Sequence, residues 1–259
     1  MASHPGSQSR IVVLGSGPAL ASATRDNTFF LFESEGNSLL IDCAGSPFHK
    51  LLRVGAEPDR LGGVLLTHAH PDHIYGLPSL IHEMWLWGRR EVLRIYASEH
   101  TRLLALSLVD VFQLRSKPVP LEFHTISEEP DSLLLRCGGF EVRTSPVRHE
   151  IPTHAVRITS LADGKAVAFS ADTSPCPELV ALARGADLIF HECAVEEPHP
   201  FHSTPEDVGR VASLAEVARV VLVHCHHNLA RQPQLALARI AKLFPGEVSF
   251  AQDFDVYDF

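Results

Sequence analysis

Thr67-His68-Ala69-His70-Pro71-Asp72-His73 packs three imidazoles and a carboxylate into one short loop, directly after the apolar run Gly63-Val64-Leu65-Leu66. The run reads as a buried strand, so the histidines stand where a strand ends and a loop opens, the usual position for functional groups. At such an edge His68 and His70 can turn to one cation while Asp72 and His73 turn to a second, so that a single loop seeds a dinuclear site. Imidazole and carboxylate donors suit zinc, with manganese or iron as alternatives.

With 16 histidines in the chain, a chance cluster is the competing explanation, and the order of the residues argues against it. The pattern H-x-H-x-D-H resembles the signature of the metallo-β-lactamase superfamily. That resemblance implies further ligands at later strand ends, in the order His, Asp, His. His149 follows the alternating run Phe140-Glu141-Val142-Arg143-Thr144, Asp172 closes Ala166-Val167-Ala168-Phe169-Ser170-Ala171, and His224 closes Arg219-Val220-Val221-Leu222-Val223. Carried over residue by residue, His68, His70 and His149 would bind one metal, and Asp72, His73 and His224 the other. Asp172 would bridge the two, and Asp72 is also expected among the catalytic residues. Each later position has a rival. Asp172 could instead cap the turn Asp172-Thr173-Ser174-Pro175, His154 competes with His149, and His226, His227 and Cys225 compete with His224. Distance from the preceding strand favours His149 and His224, and Cys225 would point to the opposite strand face.

The expected ligands run from His68 to His224 in a chain of 259 residues, so one site recruits nearly the whole length. The expectation is a single domain over 11–259 after a flexible polar segment, Met1 to Arg10. No apolar run approaches the roughly 20 residues of a spanning helix, and no basic-then-apolar leader opens the chain, which predicts a cytoplasmic protein without a membrane partner. Its five cysteines form no C-x-x-C pair and read as small buried hydrophobes. A formal charge of −9, from 22 basic and 31 acidic side chains, argues against a general nucleic-acid binder.

Strands are predicted at Ile11-Leu14, Phe29-Phe32 and Ser38-Asp42, the last two forming a hairpin around Glu35-Gly36-Asn37. Gly15-Ser16-Gly17 lacks the third glycine of a dinucleotide fingerprint and is followed by Pro18, so it reads as a plain turn. Helices are expected at Ser46-Val54 and Leu77-Gly88, the latter carrying Met84, Trp85 and Trp87 for core packing, a pocket wall or a homodimer surface. The second half repeats the scheme, with strands at Leu133-Arg136, Phe140-Thr144, Ala155-Thr159, Ala166-Ser170, Leu188-His191 and Val220-Val223. Helices are expected at Glu178-Arg184, Pro205-Leu214 and Gln234-Phe244, before a final strand pair. Thr204 as N-cap, Pro205 at the first helical position and Glu206 and Asp207 in the first turn fix one helix entry firmly. Two mixed β-sheets face to face with helices outside follow, which the resemblance identifies as the four-layer αβ/βα sandwich of the metallo-β-lactamase fold.

Ser170-Ala171-Asp172-Thr173, His191-Glu192-Cys193 and His202-Ser203-Thr204 are similar to motifs of the ribonuclease Z-like branch, with Cys193 in place of the usual alanine. The resemblance implies that Glu192 and His202 assist phosphodiester cleavage, where a surface ion pair is the plainer alternative. Two cations would lower the pKa of a bridging water so that hydroxide is available for in-line attack, and His202, oriented by Glu192, would serve the leaving alkoxide. The tRNA-gripping arm of ribonuclease Z is inserted between the ligands matching His149 and Asp172, yet only Glu150 to Ala171 lie between them here. The expectation is therefore a dinuclear metal-dependent phosphodiesterase for a small or flexible substrate, with folded tRNA disfavoured. A carbonyl hydrolase acting on a lactone, thioester or β-lactam is the alternative, and a non-catalytic metal-bound sensor a weaker one.

Overall fold

The computed structural model describes residues 9–258, so the segment Met1 to Gln8, most of the one expected to be flexible, lies outside the described residues. Arg10 already opens a strand. The first sheet holds β1 (Arg10–Gly15), β2 (Phe29–Ser34), β3 (Asn37–Ile41), β4 (Leu61–Leu65), β5 (Leu93–Ala97) and β6 (Leu121–Thr125). The second holds β7 (Ser132–Cys137), β8 (Phe140–Val147), β9 (Thr153–Ser160), β10 (Ala166–Phe169), β11 (Leu188–Cys193), β12 (Arg219–Cys225) and β13 (Glu247–Phe250), while β14 (Val256–Asp258) returns to pair with β1. In each sheet an antiparallel run comes first in the chain and a parallel run follows, as the repeated pattern of the two halves predicts.

The strands are apolar on both faces because both faces are covered. Along β1, Ile11 and Val13 enter the core between the sheets, while Val12 and Leu14 enter the core beneath the helices, the period of two that a pleated strand imposes. Phe30 meets Phe169 and Phe190 across the sandwich at ring distances of 4.9 and 5.0 Å. Outside the first sheet lie α1 (Pro47–Arg53), α3 (Leu77–Trp87) and α4 (Glu99–Val111), the short α2 (Pro71–Ile74) being the turn of the histidine loop. Outside the second lie α5 (Pro177–Leu182), α6 (Pro205–Ala215), α7 (His227–Arg231) and α8 (Pro233–Ile240). The architecture is the expected αβ/βα sandwich.

Several local expectations shift. The last two strands are not a pair: β13 runs parallel to β12, whereas β14 crosses to the other sheet. The last helix stops at Ile240 rather than Phe244. Residues 89–125, where no element was expected, form β5, α4 and β6. Cys137 is half-buried, whereas the other four cysteines are buried as expected. Met84 is fully buried in the core with Trp85 packed against it, but Trp87 stays half exposed. No helix among the described residues is long and apolar enough to cross a membrane.

Candidate metal centre

β4 delivers the histidine loop to the end of the sandwich, and Pro71 opens α2 without an N–H to leave unsatisfied. That single turn carries Asp72 and His73. Asp42, just past β3, clamps the loop at both ends. Its carboxylate accepts from the Thr67 N–H at 2.7 Å and the Thr67 hydroxyl at 2.9 Å, and it lies 2.7 Å from His73 Nδ1. Sequence reasoning saw Asp42 only as the end of a strand, although its carboxylate is one of the main supports of the site.

His68, His70 and His149 bring one ring nitrogen each within 4.8 Å of one another. His149 Nδ1 stands 3.0 Å from the Phe201 carbonyl oxygen. A carbonyl only accepts, so Nδ1 carries the proton and Nε2 keeps its lone pair. That Nε2 faces His70 Nδ1 at 3.1 Å. His68 Nδ1 meets the Thr67 hydroxyl at 3.0 Å, which leaves its Nε2 buried and without a partner. Burial, reinforced by neighbouring imidazoles, lowers the pKa of His68, and burial lowers that of His149. Both rings are neutral donors at pH 7.

Asp72, His73 and His224 form a second cluster within the same 4.8 Å. His224 Nε2 and His73 Nε2 lie 3.2 and 3.3 Å from one Asp72 oxygen. His224 reaches the site through a bulge: Val223 opposes Glu192 and Cys225 opposes Cys193, while His224 takes a left-handed φ of 49°. Its peptide N–H is tied to the Ser16 carbonyl at 3.0 Å. Burial lowers the pKa of both rings, but Asp42 and Asp172 around His73, and Asp172 with Asp72 around His224, outweigh it and raise both. Burial likewise pushes the Asp72 and Asp172 carboxyls up, and the imidazoles beside them more than reverse this.

Asp172 stands between the clusters. Its two oxygens lie 3.7 Å from His73 Nε2 and 3.4 Å from His224 Nε2, and it also groups with His68 and with His149. The donor set fits divalent cations. The buried, unpartnered Nε2 of His68 is a costly polar orphan that a metal would satisfy.

His202 Nδ1 lies 2.9 Å from Glu192, and the same buried carboxylate accepts from the N–H groups of Thr173 and Ala194 at 3.0 and 2.7 Å. Half-burial lowers the His202 pKa, yet Glu192 raises it further than burial depresses it. His202 comes within 4.8 Å of His149 and Asp172, so it faces the centre rather than forming a surface pair. Its position is inherited from α6, whose start has a full capping box between Thr204 and Asp207. The rivals lie elsewhere: His154 is buried against the Ser127 carbonyl, His226 caps α7, His227 begins α7 outside both clusters, and Cys225 belongs to the helix-side core.

A family model described as anti-Pycsar protein Apyc1 matches residues 9–243. Ribonuclease Z of Ignicoccus hospitalis is 26% identical over 267 residues, spanning 84% of this chain and 88% of that protein. Among solved structures, the metallo-β-lactamase fold protein YhfI from Bacillus subtilis superposes with a TM-score of 0.82 at 23% identity, covering 98% of this chain and 100% of its own. The short form of human tRNase Z superposes with a TM-score of 0.78 at 23% identity, covering 96% and 98%.

Proposed function

The chain belongs to the anti-Pycsar protein Apyc1 family, in the ribonuclease Z-like branch of the metallo-β-lactamase superfamily, and on that footing we propose that this metal-dependent hydrolase is a dinuclear phosphodiesterase for a small or flexible substrate. The pair of three-residue clusters sharing Asp172 carries the reading. His68, His70 and His149 would hold one divalent cation, and Asp72, His73 and His224 the other, zinc suiting this donor set best. Cations so held supply an activated water and neutralise charge on the phosphoryl oxygens.

The chain's own groups handle the protons. His202 is held through Nδ1 by Glu192 and its pKa is raised. Held this way it would present a proton on Nε2 and deliver it to the leaving alkoxide as a general acid. Asp72, ionised by its depressed pKa, accepts a hydrogen bond from the attacking water and orients it. Because β9 and β10 fill the interval from Glu150 to Ala171, no arm for gripping tRNA extends between His149 and Asp172. A net charge of −9 further disfavours a polyanion of tRNA size.

Side-by-side assays of the metal-loaded protein test this. Hydrolysis of a bis-aryl phosphate with little site-specific cleavage of a tRNA precursor is expected. Efficient tRNA processing would contradict the small-substrate reading, and lactone or thioester turnover without diester turnover would move the protein to the carbonyl hydrolases.

A further inference from the structure

His224 is held differently from the other buried rings of the centre. His68, His73 and His149 each set their second ring nitrogen against a protein partner, Thr67, Asp42 and the Phe201 carbonyl in turn. His224 Nε2 points to Asp72 and Asp172, and its Nδ1 is buried with no partner among the described residues. No second hydrogen bond turns this ring, so its aim depends on the backbone beneath it. That backbone lies in the left-handed region, at a φ of 49°, which a residue other than glycine keeps only where its surroundings enforce it.

The enforcing contact is the His224 N–H on the Ser16 carbonyl at 3.0 Å. Ser16 is fully buried and fastened from both sides. Asp253 Oδ1 accepts from its N–H at 2.9 Å and from its hydroxyl at 2.8 Å. Asp253 Oδ2 accepts from the Asp26 N–H at 2.9 Å, and the Asp26 carbonyl accepts from the Gly17 N–H at 2.7 Å. The Gly17 N–H shares a planar peptide unit with the Ser16 carbonyl, so one carboxylate fixes the plane from which His224 hangs. Close approach explains the flanking glycines. A Cβ at Gly15 would come within 1.9 Å of the Asn27 carbonyl oxygen, and one at Gly17 within 2.9 Å of that of Asp26. Asp253 is anchored in turn, since the Ala251 N–H donates to Leu222 at 2.9 Å and the Phe254 N–H to Val13 at 2.6 Å. Buried Lys50, 2.8 Å from Asp26 and 3.9 Å from Asp253, balances the two carboxylates.

We propose that Asp253 is a positioning residue of the metal centre, acting through Ser16 to keep His224 aimed at the second cation. The role presupposes the two-cluster reading and adds to it a support that touches neither cluster. It also gives the Gly15-Ser16-Gly17 turn a purpose that needs no nucleotide.

The test is titration of the metal-free protein with zinc against a competing chelator. The wild type should show two binding steps, one of which is missing in His224→Ala. Asp253→Asn should weaken that step about tenfold and leave the other within about twofold, because an amide oxygen can serve Ser16 or Asp26 but its NH2 cannot accept from the one left over. Ser16→Ala removes only the hydroxyl bond and should weaken the same step by less, which keeps the test alive where Asp253→Asn does not fold. In the metal-free protein the His224 amide should exchange its hydrogen about tenfold faster in Asp253→Asn, with the amides of β8 and β9 unchanged. Asn27→Ala loosens the same loop at Pro18 and Ala19 without touching Ser16, and both steps should survive it. Equal weakening of both steps by Asp253→Asn, or the same loss in Asn27→Ala, would make Asp253 a general support of the fold and overturn the proposal. Unchanged steps with unchanged His224 exchange would overturn it too. A wild-type titration with a single step would instead defeat the two-cluster reading.

Discussion

The two candidate ligand clusters are built from opposite electrostatics. His68, His70 and His149 are imidazoles alone, supported by a hydroxyl and a carbonyl, and burial lowers the pKa of His68 and His149. Asp72, His73 and His224 are interleaved with the carboxylates of Asp42 and Asp172, which overcome burial and raise the pKa of both histidines. The first cluster is a set of ready lone pairs. The second is an ion-paired network in which protons hold the places that a cation would take. Metal binding to the second cluster must therefore expel protons, and binding to the first need not.

Asp172→Ala should have the largest effect, because the carboxylate stands between both clusters. Affinity at each site should fall by more than the roughly 100-fold that loss of a supporting partner costs, read as metal content after dialysis. Loss confined to one site would show that Asp172 belongs to that cluster alone. Next in size is His202→Ala, which should lower kcat by about 10²- to 10⁴-fold while both metals stay bound. Glu192→Gln should resemble it, and the double variant should cost less than the two single losses combined, since the pair acts as a unit. Metal loss in His202→Ala would make it a ligand.

Asp42→Asn separates the clusters directly. Only the second cluster hangs a ring directly on Asp42, so its affinity should drop by about 10- to 100-fold, and the first, reached only through Thr67, should lose less. The smallest effect is one of pH. With raised histidine pKa values, the second cluster must release protons to take a cation, so as pH falls from 8 to 6 it should lose roughly tenfold more affinity than the first. The metal-free protein should show the reverse sign in stability. The raised pKa values of His73 and His224 stabilise it fully below their unfolded value of about 6.5, and that contribution is lost as pH rises through the folded values. A melting temperature of the metal-free chain that climbs between pH 7 and 9 would contradict this.

Much of this was legible in the sequence for a physical reason. His68, His70, Asp72 and His73 are contiguous, and His149, Asp172 and His224 each follow an apolar strand, so local pattern and strand-edge logic suffice. Glu192 and His202 were reachable through their motifs and the Thr204 cap. Asp42 was not, because a lone aspartate at a strand end carries no signal until folding sets Thr67 and His73 against it. Asp253 was not either, since its partner Ser16 lies at the far end of the chain. Strands β13 and β14 look alike in sequence, and only tertiary pairing sends them to opposite sheets. The stretch 89–125 is broken by Pro118 and Pro120 and by the mixed surface of α4, which leaves Leu103, Val111 and Phe112 exposed and blurs its periodicity.

Metal content at pH 8, measured by elemental analysis on protein saturated with zinc and then freed of excess ion, tests the two-cluster centre most directly. The expected ratio is two ions per chain, falling to one in His224→Ala and to one in His149→Ala. A wild-type ratio of one, or loss of both ions in either variant, would contradict two separate clusters joined at Asp172.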